Sequence, residues 1–203
     1  MNPSADRKTV RLVTLGVLLA LVIILQFWGS GIHLGPTTSI SLVLIPIALG
    51  GMLLGPGAGA LLGFAFGLIT LLCGVFGLDP FTQTLFQFQP VVTSLVCLVK
   101  GSAAGFGAGI IYRAFSEKNE LLASFLSAGA APLINTGLFA VGALFLRKTI
   151  ESNFVGEGVG FFYFLFIVII GLNFVVEFSV NMILAAVLCR IVRIAEKKIF
   201  RQG

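Results

Sequence analysis

From Phe161 to Cys189 the chain runs FFYFLFIVIIGLNFVVEFSVNMILAAVLC, twenty-nine residues with one charge, Glu177. No other feature limits the fold so strongly. A run this long and apolar can cross the ~30 Å hydrocarbon core of a bilayer as a helix. In lipid, only helices and closed barrels satisfy their own backbone groups. Asn173, Glu177 and Asn181 interrupt the run at intervals of four, so a helix stacks them along one face. A carboxylate near mid-span costs about 2.5–3.5 kcal/mol on insertion scales, and is expected to face the protein interior with a partner. Two readings of this stripe stay open. It is glue between helices, since Asn side chains hydrogen-bond across membrane helices, or it lines a buried site that holds a solute.

Five more apolar stretches precede it, at about Val10–Trp28, Ile40–Leu54, Ala58–Phe76, Val91–Tyr112 and Leu121–Leu146. The expectation is an all-α polytopic membrane protein, with six transmembrane helices in a single domain over residues 1–203. Hydrophobic residues make up 58% and charged residues 10%, with mean hydropathy +1.09; a soluble domain carries roughly 25% charged residues. The formal charge of +5 does not point to nucleic acid, because the cations gather at the chain ends and in short loops. Lys and Arg occur in the N-terminal end, in 113–120 and in the basic tail. Segments 29–39 and 77–90 have none, and in 147–160 Arg147 and Lys148 are balanced by Glu151 and Glu157. The positive-inside rule then places both termini in the cytoplasm, in the cell membrane. Arg7, Lys8 and Arg11 before the first run resemble a signal peptide, but no small-residue cleavage site follows, so the run is expected to stay as a helix.

Glycine spacing predicts how these spans pack. Gly59, Gly63 and Gly67 form one bare ridge, and Gly101, Gly105 and Gly109 another; such ridges let helix backbones approach closely. Gly16 and Ala20 make a shorter small-residue pair on the first span. Gly55-Pro56-Gly57 is a tight turn. Pro46 is expected to kink the short second span. Pro132 removes a backbone hydrogen bond beside Asn135 and Thr136. The segment GLDPFTQTLFQFQP at 77–90 is too polar to cross and too apolar for a free linker, so it is expected to be a structured external loop, lying over a cavity or interfacial with no ligand role.

Catalytic chemistry finds little material. The single histidine, His33, sits in a Gly/Pro/Ser-rich loop and cannot build a zinc site or a Ser/His pair. Cys73, Cys97 and Cys189 lie far apart in apolar runs, without metal or redox spacing. There is no G-x-x-x-x-G-K-[ST] loop for ATP. No metal, cofactor or enzyme activity is expected. What remains is Lys100, Asn135, Asn173 and Glu177, at similar depth on the last three spans. They offer one cation, one carboxylate and two amides, as a pocket for a small polar molecule requires. Trp28, Gln87 and Gln89 are expected to roof it. Lys100 either neutralises Glu177 or meets a carboxylate of the ligand.

Three segments carry a resemblance: ISLVLIPIALGGMLLGPGAGALLGFAFGLI at 40–69, LVCLVKGSAAG at 95–105 and APLINTGLF at 131–139. With six spans in a chain of this length, the sequence resembles the substrate-binding S component of energy-coupling factor (ECF) vitamin transporters. ISLVLIPI, LVCLVKG and PLINTGLF are most similar to the pantothenate-type branch; riboflavin, folate and cobalamin members are its rivals. The resemblance implies that the chain captures a vitamin from outside and docks on a transmembrane T protein driven by two ATPases. It also implies that Gly16 and Ala20 contact the T protein, with Gly in place of the first Ala of the family's Ala-xxx-Ala pair. Two readings from other classes compete. In a stand-alone proton- or ion-coupled carrier, Lys100 and Glu177 would form a relay, though no internal repeat is visible. In a structural subunit, the polar stripe is glue.

Overall fold

The computed structural model describes residues 3–29 and 42–195. Every regular element among them is helical: α1 (Pro3–Gly29), α2 (Leu44–Leu54), α3 (Pro56–Val75), α4 (Pro80–Phe88), α5 (Pro90–Phe115), α6 (Glu120–Phe145), α7 (Arg147–Phe154) and α8 (Phe161–Ala195). Five of them, α1, α3, α5, α6 and α8, are long and apolar enough to cross a membrane. The sixth apolar helix, α2, has 11 residues and a length of about 16 Å. This agrees with the all-α, multi-span expectation. His33 and most of the 29–39 loop lie outside the described residues.

Local chemistry sets the boundaries. Gly55, at φ +96°, ends α2 in a conformation that L side chains rarely adopt, and Pro56 then opens α3. Pro80 and Pro90 open α4 and α5 in the same way; the missing proline N–H costs nothing in a first turn. Asp79 caps α4 by accepting from the Phe81 amide, and Asn119 caps α6 by accepting from the Leu122 amide. Pro46 departs from the expected kink, because it falls in the first turn of α2, where no intrahelical bond is lost. The expected loops at 77–90 and 147–160 each contain a short helix, α4 and α7. In both, apolar residues recur on one face, and that face is buried.

The two glycine ridges pack on each other. A Cβ on Gly59 would overlap the Gly105 carbonyl, one on Gly63 the Gly101 carbonyl, and one on Gly67 the Cys97 carbonyl. The antiparallel pair α3–α5 is therefore backbone against backbone, the most extensive interface among the described helices. Gly51 of α2 meets the same ridge at Gly105 and Gly109. α6 joins α5 through a buried hydrogen bond from Ser127 Oγ to the Ala108 carbonyl, 2.7 Å.

Small residues fill one end of the bundle, where Ala48, Ala108, Ala128, Ala131 and Ala185 meet around Met52 and Tyr112. Aromatic and branched residues fill the other end: Phe81 and Leu85 from α4, Leu146 and Ile150, and Phe161, Phe164 and Leu165 from α8. The outer surface carries many large exposed apolar side chains, such as Leu12, Val91, Phe145 and Ile183, as suits a body solvated by lipid.

Candidate functional site

Between these two cores lies a cavity of about 130 Å³, roughly ten times the space that one water needs. Its walls come from the C-terminal halves of α1, α3 and α6 and the N-terminal halves of α5 and α8, with α4 across one end. The site therefore occupies one half of the molecule, at the end that carries α4 and α7.

Lys100, Asn135, Asn173 and Glu177 all line this cavity. Four spacings in the sequence thus converge on one space. α5 delivers Lys100 because its neighbour Gly101 is locked against Gly63. Lys100 lies about 100° further round the helix, at the edge of the α3–α5 seam. α6 delivers Asn135 within one turn of Pro132. In α8 the backbone is π-helical from Phe164 to Gly171 and returns to α-helix at Leu172, one residue before Asn173. π segments are rare and concentrate at functional sites.

The polar groups are incompletely paired. Asn173 and Glu177 lie one turn apart on one face of α8. Thr93 Oγ1, Asn135 Oδ1, Asn173 Oδ1 and Glu177 Oε2 are buried without a partner, and all four residues line the cavity. An unsatisfied buried polar group costs about 1–3 kcal/mol. Lys100 adds a cation. Its Nζ stands 5.2 Å from the Phe139 ring centroid and 5.9 Å from that of Phe66, within cation–π range. Of the two readings of Lys100, the ion pair with Glu177 does not form among the described residues. Among the described residues the ion pairs are Arg147–Glu151 and Arg193–Glu120. Lys100 and Glu177 share the cavity and leave it open between them.

Asn181, the third member of the stripe, stands apart. Its Nδ2 donates to the Glu177 carbonyl at 2.8 Å, and it does not line the cavity. The expected roof is also corrected. Trp28 is 71% exposed on the outer surface, and Gln87 is exposed on the far side of α4. Gln89 donates to Thr149 Oγ1 at 3.0 Å, which ties the α4–α5 corner to α7. None of these three lines the cavity. The opposite face of α4 does so, with Phe81, Thr82 and Leu85 beside the capping Asp79. Sequence reasoning also missed Gln26 and Thr70, which join α1 to α3 across the wall by a 3.1 Å hydrogen bond. Gln26 was detectable as a lone amide in an apolar run.

Gly16 and Ala20 are exposed on α1, and a Cβ at Gly16 would meet nothing within 4 Å. The first helix thus offers its small-residue pair outward and its Gln26 inward. No curated protein matches this chain. A family model described as the ECF transporter substrate-specific component matches residues 10–192, which covers six of the eight helices in full and most of the first and last. The chain is a multi-pass plasma-membrane protein that belongs to the ECF transporter substrate-specific component family.

Proposed function

We propose that this chain captures a small carboxylate-bearing vitamin from outside the cell, with pantothenate the best fit. One observation carries the reading. Four partnerless acceptors and one unpaired cation surround a single cavity. Such a lining asks for a ligand rich in O–H and N–H donors with one anionic group. Pantothenate has two hydroxyls, one amide N–H and one carboxylate. Lys100 receives the carboxylate, while Asn135, Asn173 and Glu177 accept from the hydroxyl and amide donors. Phe66 and Phe139 cover the aliphatic part. Riboflavin has no carboxylate and would leave Lys100 unused.

The family consists of transporter components, not enzymes. Energy therefore comes from partner chains, a T protein and two ATPase subunits, and Gly16 and Ala20 supply the docking face on α1. Both termini lie in the cytoplasm, so the cavity half of the molecule faces outward. One six-helix domain performs the capture.

Equilibrium binding to the purified protein, with a panel of pantothenate, riboflavin, folate, cobalamin and pantothenol, tests the reading. Pantothenate is expected to bind tighter than about 1 μM, roughly −8 kcal/mol. Lys100→Met is expected to weaken it about 10- to 100-fold, the worth of a hydrogen bond to a charged group. The same change should leave the alcohol pantothenol at its wild-type affinity. If no vitamin reaches micromolar affinity, the capture role is wrong. If Lys100→Met weakens acid and alcohol alike, Lys100 does not read the carboxylate.

A further inference from the structure

The end of the molecule opposite the cavity holds a second concavity, a groove of about 820 Å³. It lies where the N-terminal part of α1, the α2–α3 turn and the C-terminal end of α5 come together. Lys8, Arg11 and Arg113 line it, and among the described residues no acidic side chain does. Lys8 and Arg113 are exposed, and neither takes part in the ion pairs of the described residues, which are Arg147–Glu151 and Arg193–Glu120. Arg11 is held in place by donating from Nη2 to the Leu54 carbonyl at 2.9 Å. That bond occupies part of a five-donor fork. The first turn of α3, Pro56 to Ala58, forms part of the same wall and adds the positive end of a helix dipole. Nothing in the vitamin site needs this cluster.

The groove is not purely polar. Leu12, Leu15 and Met52 line its other side. Leu12 is 73% exposed, and the apolar strip continues along α1 through the exposed Val13 and Val17. Cations at the end of a span, opening onto an apolar helix face, match an amphiphile with an anionic head and an apolar tail. We propose that the groove binds one anionic phospholipid while α1 is undocked from the T protein, its phosphate among Lys8, Arg11 and Arg113 and an acyl chain along α1. Basic pockets between membrane helices bind such head groups. A free phosphate would leave the apolar wall and the α1 strip unused, and an acidic peptide has no tail to follow that strip into the membrane.

Native mass spectrometry of the full chain in detergent, titrated with dioleoyl phosphatidylglycerol or dioleoyl phosphatidylcholine, tests this. One phosphatidylglycerol should be retained at least about tenfold more tightly than phosphatidylcholine. Lys8→Gln with Arg113→Gln should weaken its retention about 25-fold, near fivefold per cation, and leave phosphatidylcholine unchanged. Both side chains are exposed, so folding is spared, and Arg11 is left in place because it holds α2. Lys148→Gln, on α7 at the other end, should change nothing. Equal retention of the two lipids would overturn the proposal and leave the groove to an acidic segment of a partner protein. Displacement of the lipid by an equal concentration of soluble glycerol phosphate would also overturn it, in favour of a free anion site. The proposal stands or falls independently of which vitamin the cavity takes.

Discussion

Gly63→Ala tests the packing on which the site is built. A Cβ at Gly63 overlaps the Gly101 carbonyl and comes within 2.9 Å of the Ser102 nitrogen. Ordinary carbon contacts lie near 3.5–4.0 Å, and the Gly101 carbonyl is nearer than the nitrogen, so α3 and α5 must part by at least about 1 Å. The obstacle is backbone, so no rotamer change relieves it. A gap of about 1 Å forfeits about half of the dispersion well at each contact along the seam. Overpacking of a tight core costs about 1–3 kcal/mol, which lowers a denaturation midpoint by about 2–4 °C per kcal/mol in a chain of this size. The comparison variant is Gly137→Ala in α6, where a Cβ meets nothing within 4 Å. There the change should be neutral, or should stabilise by up to about 1 kcal/mol through helix propensity. The assay is the thermal midpoint of purified protein in one detergent, read by loss of the monodisperse chromatographic peak. A Gly63→Ala midpoint equal to wild type, or a Gly137→Ala midpoint lowered as far, would refute the backbone-on-backbone account.

Two further outcomes follow from the site. Asn135→Leu removes a partnerless buried acceptor, so the ligand-free protein should melt at the wild-type temperature or above it, while vitamin affinity falls at least about tenfold; both are read from melting curves with and without ligand. Gln89→Ala breaks the bond to Thr149 and should cost about 1 kcal/mol of stability, while ligand affinity stays within about threefold, as measured by calorimetry.

The legible parts of the fold were those in which spacing alone determines geometry. Glycines at intervals of four give a bare face in any helix, and Gly59, Gly63 and Gly67 found the matching ridge on α5. Lys100, Asn135, Asn173 and Glu177 were legible because each is a polar residue within an apolar run, where lipid forces it inward. The threonines at the cavity were not. Thr70 shows one reason: its hydroxyl donates back to the Phe66 carbonyl one turn earlier, at 3.0 Å, so it passes as an apolar residue within a span. Gln87 and Gln89 misled because composition drew attention to segment 77–90 without saying which face of α4 turns inward. Phe81, Thr82 and Leu85 recur at helical spacing and would have answered that. The π segment is hidden for a different reason, since FLFIVIIG has nothing that separates a wide turn from an α-helical one.

Seam and site depend on each other through one helix. In α5, Cys97, Gly101, Ala104, Gly105 and Ala108 are buried while Val99 is exposed. Lys100 lies between the two faces, about 100° from each neighbour. A rotation of α5 by one residue position would carry its ammonium toward lipid, at a cost of about 2.5–3.5 kcal/mol on insertion scales. The same rotation would drive a side chain into the Gly63 backbone. Both penalties oppose the same movement, so the ridge that holds α5 against α3 also fixes the direction of Lys100. A rigid wall of this kind lets the opposite wall, α6 and α8, carry acceptors with no partner of their own. On the proposed capture role, the stability those acceptors lose is stability that a bound ligand would restore, so the melting temperature should rise with occupancy of the cavity.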